Sequence, residues 1–302
     1  MSVAELEARE IQLEAPSGLW SEAWYRLIRN PGAILGAFFV TTFVVVAVFA
    51  TVIAPENPEA ARPDRLHFGT PPGPSWDHWF GLDLQGRDEF SRIVYGARYS
   101  LLIGVVSVAI GLSIGLVLGA TAGYLGGLVD SSIMRAMDVM LAIPGLLFAI
   151  GIVAMLGPGL KQVMIAVGVV NIPIFARLLR GSVLAQREND FVLAARSVGV
   201  RRRAILFSHI LPNAISPVIV QGTLAMATAI IDVAGLGFLG LGPQNPATPE
   251  WGTMLTDVND YLNIAPFLAI IPGVAIVMSV LGFNLIGDGL REALDPKLRT
   301  RG

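Results

Sequence analysis

Long apolar runs alternate with polar segments along this chain of 302 residues. Six of the runs are long enough to cross the hydrocarbon core of a bilayer as a helix, which takes about 20 residues. They cover residues 33–54, 100–123, 134–156, 160–176, 214–241 and 264–287. The pattern therefore predicts an all-α integral membrane protein with six transmembrane helices.

The polar segments divide the chain into five parts. We expect a cytoplasmic tail with an interfacial segment, a first transmembrane helix, an extracytoplasmic loop with an amphipathic segment, a core of five transmembrane helices, and a second cytoplasmic tail. In that order these parts cover residues 1–32, 33–54, 55–98, 99–290 and 291–302.

The composition supports a membrane protein and excludes several other classes. Hydrophobic residues make up 54% of the chain and charged residues 15%, whereas soluble domains carry about 25% charged residues. The mean hydropathy of +0.65 excludes a disordered chain. Because the chain has no cysteine, it has no disulfide framework.

The distribution of basic residues predicts the orientation in the membrane. Cytoplasmic loops carry an excess of lysine and arginine. If the N-terminus is inside, the inner segments hold 15 of the 21 basic residues and the outer segments hold 6. We therefore expect a multi-pass protein of a bacterial or archaeal cytoplasmic membrane, with both termini in the cytoplasm.

Four glycines recur at every fourth position in the second apolar run. Gly111, Gly115, Gly119 and Gly123 fall near one stripe of a helix, where a second backbone can approach closely. We interpret the stripe as a helix-packing surface rather than as general glycine richness. The sequence has no P-loop and no metal-binding pattern, so we expect no catalytic residue, metal site or bound cofactor on this chain.

Polar residues inside the apolar runs are candidates for a translocation path. Asp232 lies well inside the fifth run, where an ionisable side chain must face protein or water rather than lipid. It either lines a path or forms a structural hydrogen bond between helices, and the sequence leaves both open. Asn171 and Gln221 are further candidates. For Asp138, near the inner end of the third run, we expect a local ion pair with Arg135.

The inner loop between the fourth and fifth runs is amphipathic. Its first predicted helix places several apolar residues on one face. These residues are Phe191, Ala194, Ala195 and Val198. Gly199 then breaks the helix, and a second short helix begins with the arginines at 201–203. Such a pair is suited to docking into a groove of a partner; the alternative is a basic loop lying on anionic lipid.

Five ordered motifs resemble one known family. The pattern A-A-x-x-x-G, followed by nine residues and H-x-L-P, begins at Ala194 and resembles the EAA loop of ABC-importer permeases. Four more segments resemble further signatures of the dipeptide and oligopeptide permease C subunits. They lie at residues 29–36, 80–104, 238–255 and 283–296. Together the motifs cover most of the chain.

This resemblance implies the type I (MetI-like) ABC-importer permease fold, in which six transmembrane helices carry cytoplasmic coupling helices. It also implies one half of a heterodimeric pore for dipeptides and oligopeptides. The expected partners are a homologous B-type permease, two cytoplasmic ABC ATPase subunits that bind ATP and magnesium, and an extracytoplasmic substrate-binding protein. All act in a lipid membrane, without nucleic acid, and this chain itself is expected to be non-catalytic.

The resemblance assigns ATPase coupling to the loop at 180–212. The residues expected to take part are Asp190, Leu193, Ala194, Ala195, Gly199, Arg201, Arg202, Arg203, His209, Leu211 and Pro212. Leu193 replaces the glutamate that names the EAA motif, so the salt bridge from that position is in question, with Asp190 or Glu188 as partial substitutes. The family usually carries glutamate at the position of Asp232 and serine at that of Gly237.

Three alternatives remain open from the sequence. A permease of the same family carries nickel, glutathione, haem or another small solute instead of peptides. A secondary transporter needs ion-coupling groups, for which only Asp232 lies deep enough, and inverted repeats, which the sequence does not show. A membrane enzyme needs a cluster of catalytic groups, which the apolar runs lack.

Overall fold

The computed structural model describes residues 19–66, 70–245, 247–256, 258 and 261–294. Residues 1–18 of the first predicted tail and residues 295–302 of the second lie outside the described residues. The described part forms thirteen α-helices. In chain order they are α1 (Leu19–Leu27), α2 (Pro31–Val48), α3 (Ala50–Ile53), α4 (Glu89–Leu125), α5 (Gly127–Leu141), α6 (Gly145–Leu156), α7 (Leu160–Arg187), α8 (Asp190–Ser197), α9 (Arg202–Ala204), α10 (Leu211–Ala214), α11 (Ser216–Leu236), α12 (Trp251–Thr256) and α13 (Phe267–Leu294).

Five of these helices are long and apolar enough to cross a membrane, namely α2, α4, α7, α11 and α13. The consecutive helices α5 and α6 meet the same criteria as one bent pair, which brings the number of spans among the described residues to as many as six. The same residues contain no β-strand, only one isolated bridge between Leu82 and Asp88. The prediction of an all-α membrane bundle is confirmed.

The third predicted span is broken. The sequence predicts one helix over 134–156, whereas α5 and α6 meet at an angle of 91°. Pro144 lies at the break, with φ −52° and ψ 130°. The helix stops there because proline lacks an N–H donor, its ring clashes with the carbonyl of the preceding turn, and the residue before it avoids helical geometry.

Two other helices are longer than predicted. Helix α4 begins at Glu89 instead of near residue 100, because Asp88 caps it by accepting a hydrogen bond of 2.7 Å from the Ser91 amide. Helix α7 continues past the predicted end at 176 to Arg187. The basic residues of its last turns therefore lie on a helix rather than in a loop.

The glycine stripe of α4 faces α7. A Cβ atom at Gly111 would lie 2.7 Å from the Asn171 Cβ, and one at Gly115 would lie 2.6 Å from the Phe175 Cβ. At Gly119 the Ala176 carbonyl leaves no room for a Cβ, and at Gly123 the Val183 side chain is 3.0 Å away. The four glycines thus let the two backbones approach closely along their length.

Helix α12 closes the outer side of the bundle against α4. Trp251 is fully buried, and its indole Nε1 donates a hydrogen bond of 3.2 Å to the Ile93 carbonyl. The ring lies on Gly96, where a Cβ would be 2.5 Å from Trp251 Cδ1. Helix α13 packs on α2 and α11, which completes the bundle.

Candidate functional site

The predicted coupling loop, residues 180–212, begins in the last turns of α7. Helix α8 ends in a Schellman motif: the Gly199 amide donates to the Arg196 carbonyl at 3.0 Å, and the Val200 amide donates to the Ala195 carbonyl at 3.1 Å. Gly199 has φ +81°, a left-handed conformation that side chains with a Cβ rarely adopt. A Cβ at this position would meet no atom within 4 Å. Glycine is therefore needed here for backbone conformation and not for space.

Helix α8 has an inward and an outward apolar face. Val192 and Ala195 are buried in the main core of the chain. Phe191 and Leu193 are exposed, and Val198 is 79% exposed. The predicted face is therefore divided, because Ala195 turns toward the core while Phe191 and Val198 point outward. The exposed set is an apolar surface that the described residues leave uncovered.

The basic part of the loop is exposed and fixed at one point. Arg201, Arg202 and Arg203 are all exposed, and the Tyr124 hydroxyl at the end of α4 donates a hydrogen bond of 2.7 Å to the Arg202 carbonyl. A π-helical turn over Ile205–Ile210 follows.

The last predicted coupling residues lie in and after this turn. His209 lies within it and is partly buried, Leu211 begins α10, and Pro212 is exposed in α10, where its missing N–H costs no helical bond. Asp190 is exposed in the first turn of α8, and Ala194 is exposed on the same helix.

Two ion pairs join the kinked helix α5 to α7. Arg180 donates to both carboxylate oxygens of Asp130, at 2.5 and 2.6 Å. Asp138 pairs with Arg177 and not with Arg135, so the expectation of a local pair was wrong. The extension of α7 explains the difference, because it carries Arg177 alongside α5. Both pairs therefore fix α5 to the part of α7 that leads into the predicted coupling loop.

Helix α11 carries a polar stripe on its uncovered side. Gln221, Thr228 and Asp232 are spaced by seven and four residues, which places them on one helical face. Thr228 is exposed, and Gln221 and Asp232 are partly exposed. Asn171 does not lie on this face: it is buried between α7 and α4, and its Nδ2 donates to the Val167 carbonyl at 2.8 Å. Sequence reasoning missed Thr228, although its spacing from the other two indicates it.

A buried charged cluster joins the segment before α4 to the segment between α11 and α12; we call it the outer cluster, after its predicted side of the membrane. Asp83 accepts a hydrogen bond of 2.5 Å from Arg87 Nε, and it lies 3.4 Å from Arg92 Nε. Arg92 Nη1 in turn donates to the carbonyls of Pro58 and Ala247, both at 3.1 Å. All three charged side chains are buried. Sequence reasoning singled out this segment only through its family resemblance, because local spacing does not show what Arg92 reaches.

Glu250 lies directly before α12 and caps the first turn of this helix. Its carboxylate accepts hydrogen bonds from the Gly252 amide at 2.9 Å, and from the Thr253 amide and hydroxyl at 2.8 and 2.9 Å. Burial raises the pKa of the Glu250 carboxyl above its ordinary value, although these hydrogen bonds oppose the shift. A Cβ at Gly237 would lie 2.5 Å from Glu250 Oε2, so this contact requires glycine where the family usually has serine.

The described residues contain no group of three His, Cys, Asp or Glu side chains placed to hold a metal ion. The glycines at 235, 237 and 240, which match a dinucleotide-binding pattern, lie at the end of α11 and in the π-helical turn Gly237–Leu241. They do not follow a β-strand, as a dinucleotide site requires.

Comparison with known proteins assigns this bundle to a family. Residues 115–300 match the family described as binding-protein-dependent transport system inner membrane component. The chain belongs to this family. Residues 18–72 of the permease also match the N-terminal TM domain of oligopeptide transport permease C. The family resemblance stated from the sequence motifs is confirmed.

Two kinds of curated relative match the permease equally well. The dipeptide transport system permease protein DppC of Alkalihalophilus pseudofirmus is 48% identical over 282 residues, which cover 93% of this chain and 91% of the relative. The glutathione transport system permease protein GsiD of Escherichia coli is 48% identical over 281 residues, with the same coverage. The permease is therefore a transmembrane subunit of a transport system.

A solved structure has the same fold. The inward-facing MetNI methionine ABC transporter aligns with a TM-score of 0.56 and 19% sequence identity, and the alignment covers 68% of the permease and 96% of that chain. The MetI-like fold expected from the sequence is confirmed.

Proposed function

We propose that this permease forms one half of a heterodimeric pore in an ATP-driven importer of short peptides. The observation that carries the proposal is the coupling loop, where Phe191, Leu193 and Val198 expose an apolar surface beside three exposed arginines. An exposed surface of this kind in a protein with a packed core indicates a docking site. The occupants are two cytoplasmic ATPase subunits, which bind ATP and magnesium and so supply the energy.

The polar stripe of α11 forms part of the translocation path. Gln221, Thr228 and Asp232 face away from the packed core, and an ionisable residue within a span must face water or protein. A homologous B-type permease covers the opposite side of the path. Asn171 is not part of it, because its side chain is buried in the contact between α4 and α7.

The ion pairs of α5 transmit movement from the coupling loop to the pore. When the ATPase subunits close, they displace α8 and the inner end of α7. Asp130 and Asp138, paired with Arg180 and Arg177, carry that displacement to α5. The 91° bend between α5 and α6 allows α5 to move while α6 stays packed, which switches the path between its inward-facing and outward-facing states.

Dipeptides and oligopeptides are the proposed substrates, delivered by an extracytoplasmic binding protein. The dipeptide and glutathione permeases are equally similar to this chain, so glutathione is the second candidate. The orientation with both termini in the cytoplasm places the coupling loop beside the ATPase subunits and the buried outer cluster beside the binding protein.

The proposal is tested by co-expressing the permease with the transport genes that accompany it. The complex is purified, reconstituted in proteoliposomes with ATP at the cytoplasmic face, and supplied with a labelled dipeptide, glutathione or nickel. We expect ATP-dependent uptake of the dipeptide. Uptake of glutathione alone favours the second candidate. Uptake driven by an ion gradient without ATP identifies a secondary transporter and contradicts the proposal.

A further inference from the structure

A cavity opens between α1 and the end of α13, on the same side of the bundle as the coupling loop. Its volume is about 410 Å³, and its lining includes Tyr25, Arg26, Arg29, Asn30, Pro31 and Glu292. We call it the α1–α13 cavity. It lies more than a bilayer leaflet away from the buried outer cluster, because α2 runs from it across the membrane.

The α1–α13 cavity is lined by two arginines, Arg26 and Arg29. None of the ion pairs between described residues involves Arg26 or Arg29. The Arg29 guanidinium lies 3.7 Å from the centroid of the Tyr25 ring, and stacking of this kind leaves the N–H groups in the guanidinium plane free to donate. The Glu292 carboxylate accepts a hydrogen bond of 2.7 Å from Asn30 Nδ2. Two positive charges and one negative charge favour an anionic ligand.

The surroundings of the cavity are those of a membrane interface. Trp24, Tyr25 and Ile28 are all about half exposed or more, and they lie directly before Pro31, where the first span begins. Tryptophan and tyrosine concentrate at the level of lipid headgroups. The anion that the cavity meets at this depth is therefore a headgroup.

An apolar groove continues from the cavity along α2. Pro31, Ile34, Phe38 and Val45 are spaced by three, four and seven residues, which keeps them on one side of the helix. The last three are exposed and line a groove of about 490 Å³ on α2. A charged cavity followed by an apolar groove of this kind matches a molecule that has an anionic head and an acyl chain.

We propose that the α1–α13 cavity binds the headgroup of an anionic phospholipid, with one acyl chain in the groove of α2. Arg26 and Arg29 donate hydrogen bonds to the phosphate. The acyl chain of the lipid begins at the depth of Pro31. The bound lipid fills the cavity between α1 and α13. In the proposed orientation the site faces the cytoplasmic leaflet, whose surface is negatively charged.

The test uses the assembled transporter in detergent, analysed by native mass spectrometry with phosphatidylglycerol and phosphatidylcholine of identical acyl chains. We expect the wild type to prefer phosphatidylglycerol. The double substitution Arg26→Gln and Arg29→Gln should lower the affinity for phosphatidylglycerol about 30-fold, because each basic residue near an anionic surface contributes a factor of about five. The affinity for phosphatidylcholine, whose headgroup has the same phosphate but no net charge, should fall much less, so that the preference for phosphatidylglycerol is lost.

Two further variants keep the test interpretable. Arg26→Lys with Arg29→Lys keeps both charges and should keep most of the preference, and Arg135→Gln removes an exposed arginine on α5 and should keep all of it. The proposal is overturned if the wild type shows no preference, or if the double glutamine variant keeps it. It is also overturned if soluble glycerol phosphate competes equally well, or if the isolated chain binds phosphatidylglycerol and the assembled transporter does not, because a partner then covers the cavity.

Discussion

Gly115 on α4 lies directly against Phe175 on α7, so that a Cβ atom at Gly115 would be 2.6 Å from the Phe175 Cβ. Even one added methyl group must therefore separate the two helices. We expect Gly115→Ala to destabilise the permease by about 1–3 kcal/mol and to lower the thermal midpoint measured in detergent. Gly273→Ala on α13 is the matched control, because a Cβ there meets no atom within 4 Å. An equal midpoint for both variants would contradict the packing role of the stripe.

Gly199 ends α8, and its left-handed conformation turns the chain toward the exposed arginines of the coupling loop. Gly199→Val should cost about 1–2 kcal/mol at the left-handed position and should reduce ATPase stimulation by binding protein and peptide several-fold. Gly199→Asn is the matched control, because asparagine tolerates this conformation, and it should keep most of the stimulation. If valine and asparagine behave alike, the conformation of this turn is not what couples the subunits.

The exposed apolar side of α8 is the proposed ATPase contact. Val198→Asp puts a charge on the surface that should be covered by the partner, so we expect at least a tenfold loss of co-purifying ATPase subunit. Glu59→Gln changes an exposed residue between α3 and α4, outside this loop, and it should leave co-purification intact. If the ATPase subunit still co-purifies fully with the Val198→Asp variant, the docking surface lies elsewhere.

Asp232 is the acidic residue of the polar stripe on α11. Asp232→Asn removes the charge at nearly constant side-chain volume. We expect peptide uptake to fall by about tenfold or more, because the substrate would lose one hydrogen bond to a charged group. Basal ATP hydrolysis should continue, because the coupling loop is distant from this position. Asp232→Glu keeps the charge and should keep most of the uptake. Parallel loss of uptake, hydrolysis and thermal stability would instead indicate a structural role.

Glu250 gives the stability of the permease a pH dependence. Because burial raises the pKa of this carboxyl in the folded state, the folded protein retains the proton more strongly than the unfolded chain. The resulting stabilisation is complete at low pH and is lost as the pH rises through the folded-state pKa. The midpoint of Glu250→Gln should therefore rise relative to wild type as the pH increases above 4.5, the ordinary pKa of the group. Glu59→Gln in the exposed outer loop should show no such trend.

The hydrophobic pattern of the sequence predicts the helical bundle, but it does not predict where helices break or extend beyond the apolar runs. Hydropathy alone places an apolar run at 134–156, yet the position of Pro144 divides it, and a proline in an apolar run bends some helices and ends others. The extension of α7 to Arg187 escaped prediction because its last turns are basic and resemble a loop. That extension also explains why Asp138 pairs with Arg177.

The sequence predicts only part of the candidate site, because several of its contacts join segments that are distant in the chain. The loop at 180–212 is continuous in the chain, so its amphipathic pattern is legible without a structure. The outer cluster depends on Arg92 reaching Ala247, and Glu250 depends on the approach of Gly237. Contacts between distant segments produce no periodic pattern in the amino-acid sequence. The same is true of Asn171, whose place between α4 and α7 is set by the neighbouring glycine.

Helix α6 is too short to cross a bilayer. Its 12 residues extend about 18 Å, whereas the hydrocarbon core measures about 30 Å. Its first turn begins at Gly145 after Pro144, and no side chain caps it, so its leading amide groups point out of the helix without a hydrogen-bond acceptor of their own. Lipid offers none. We therefore expect water to reach the break at Pro144 and, in the proposed orientation, to enter from the cytoplasm.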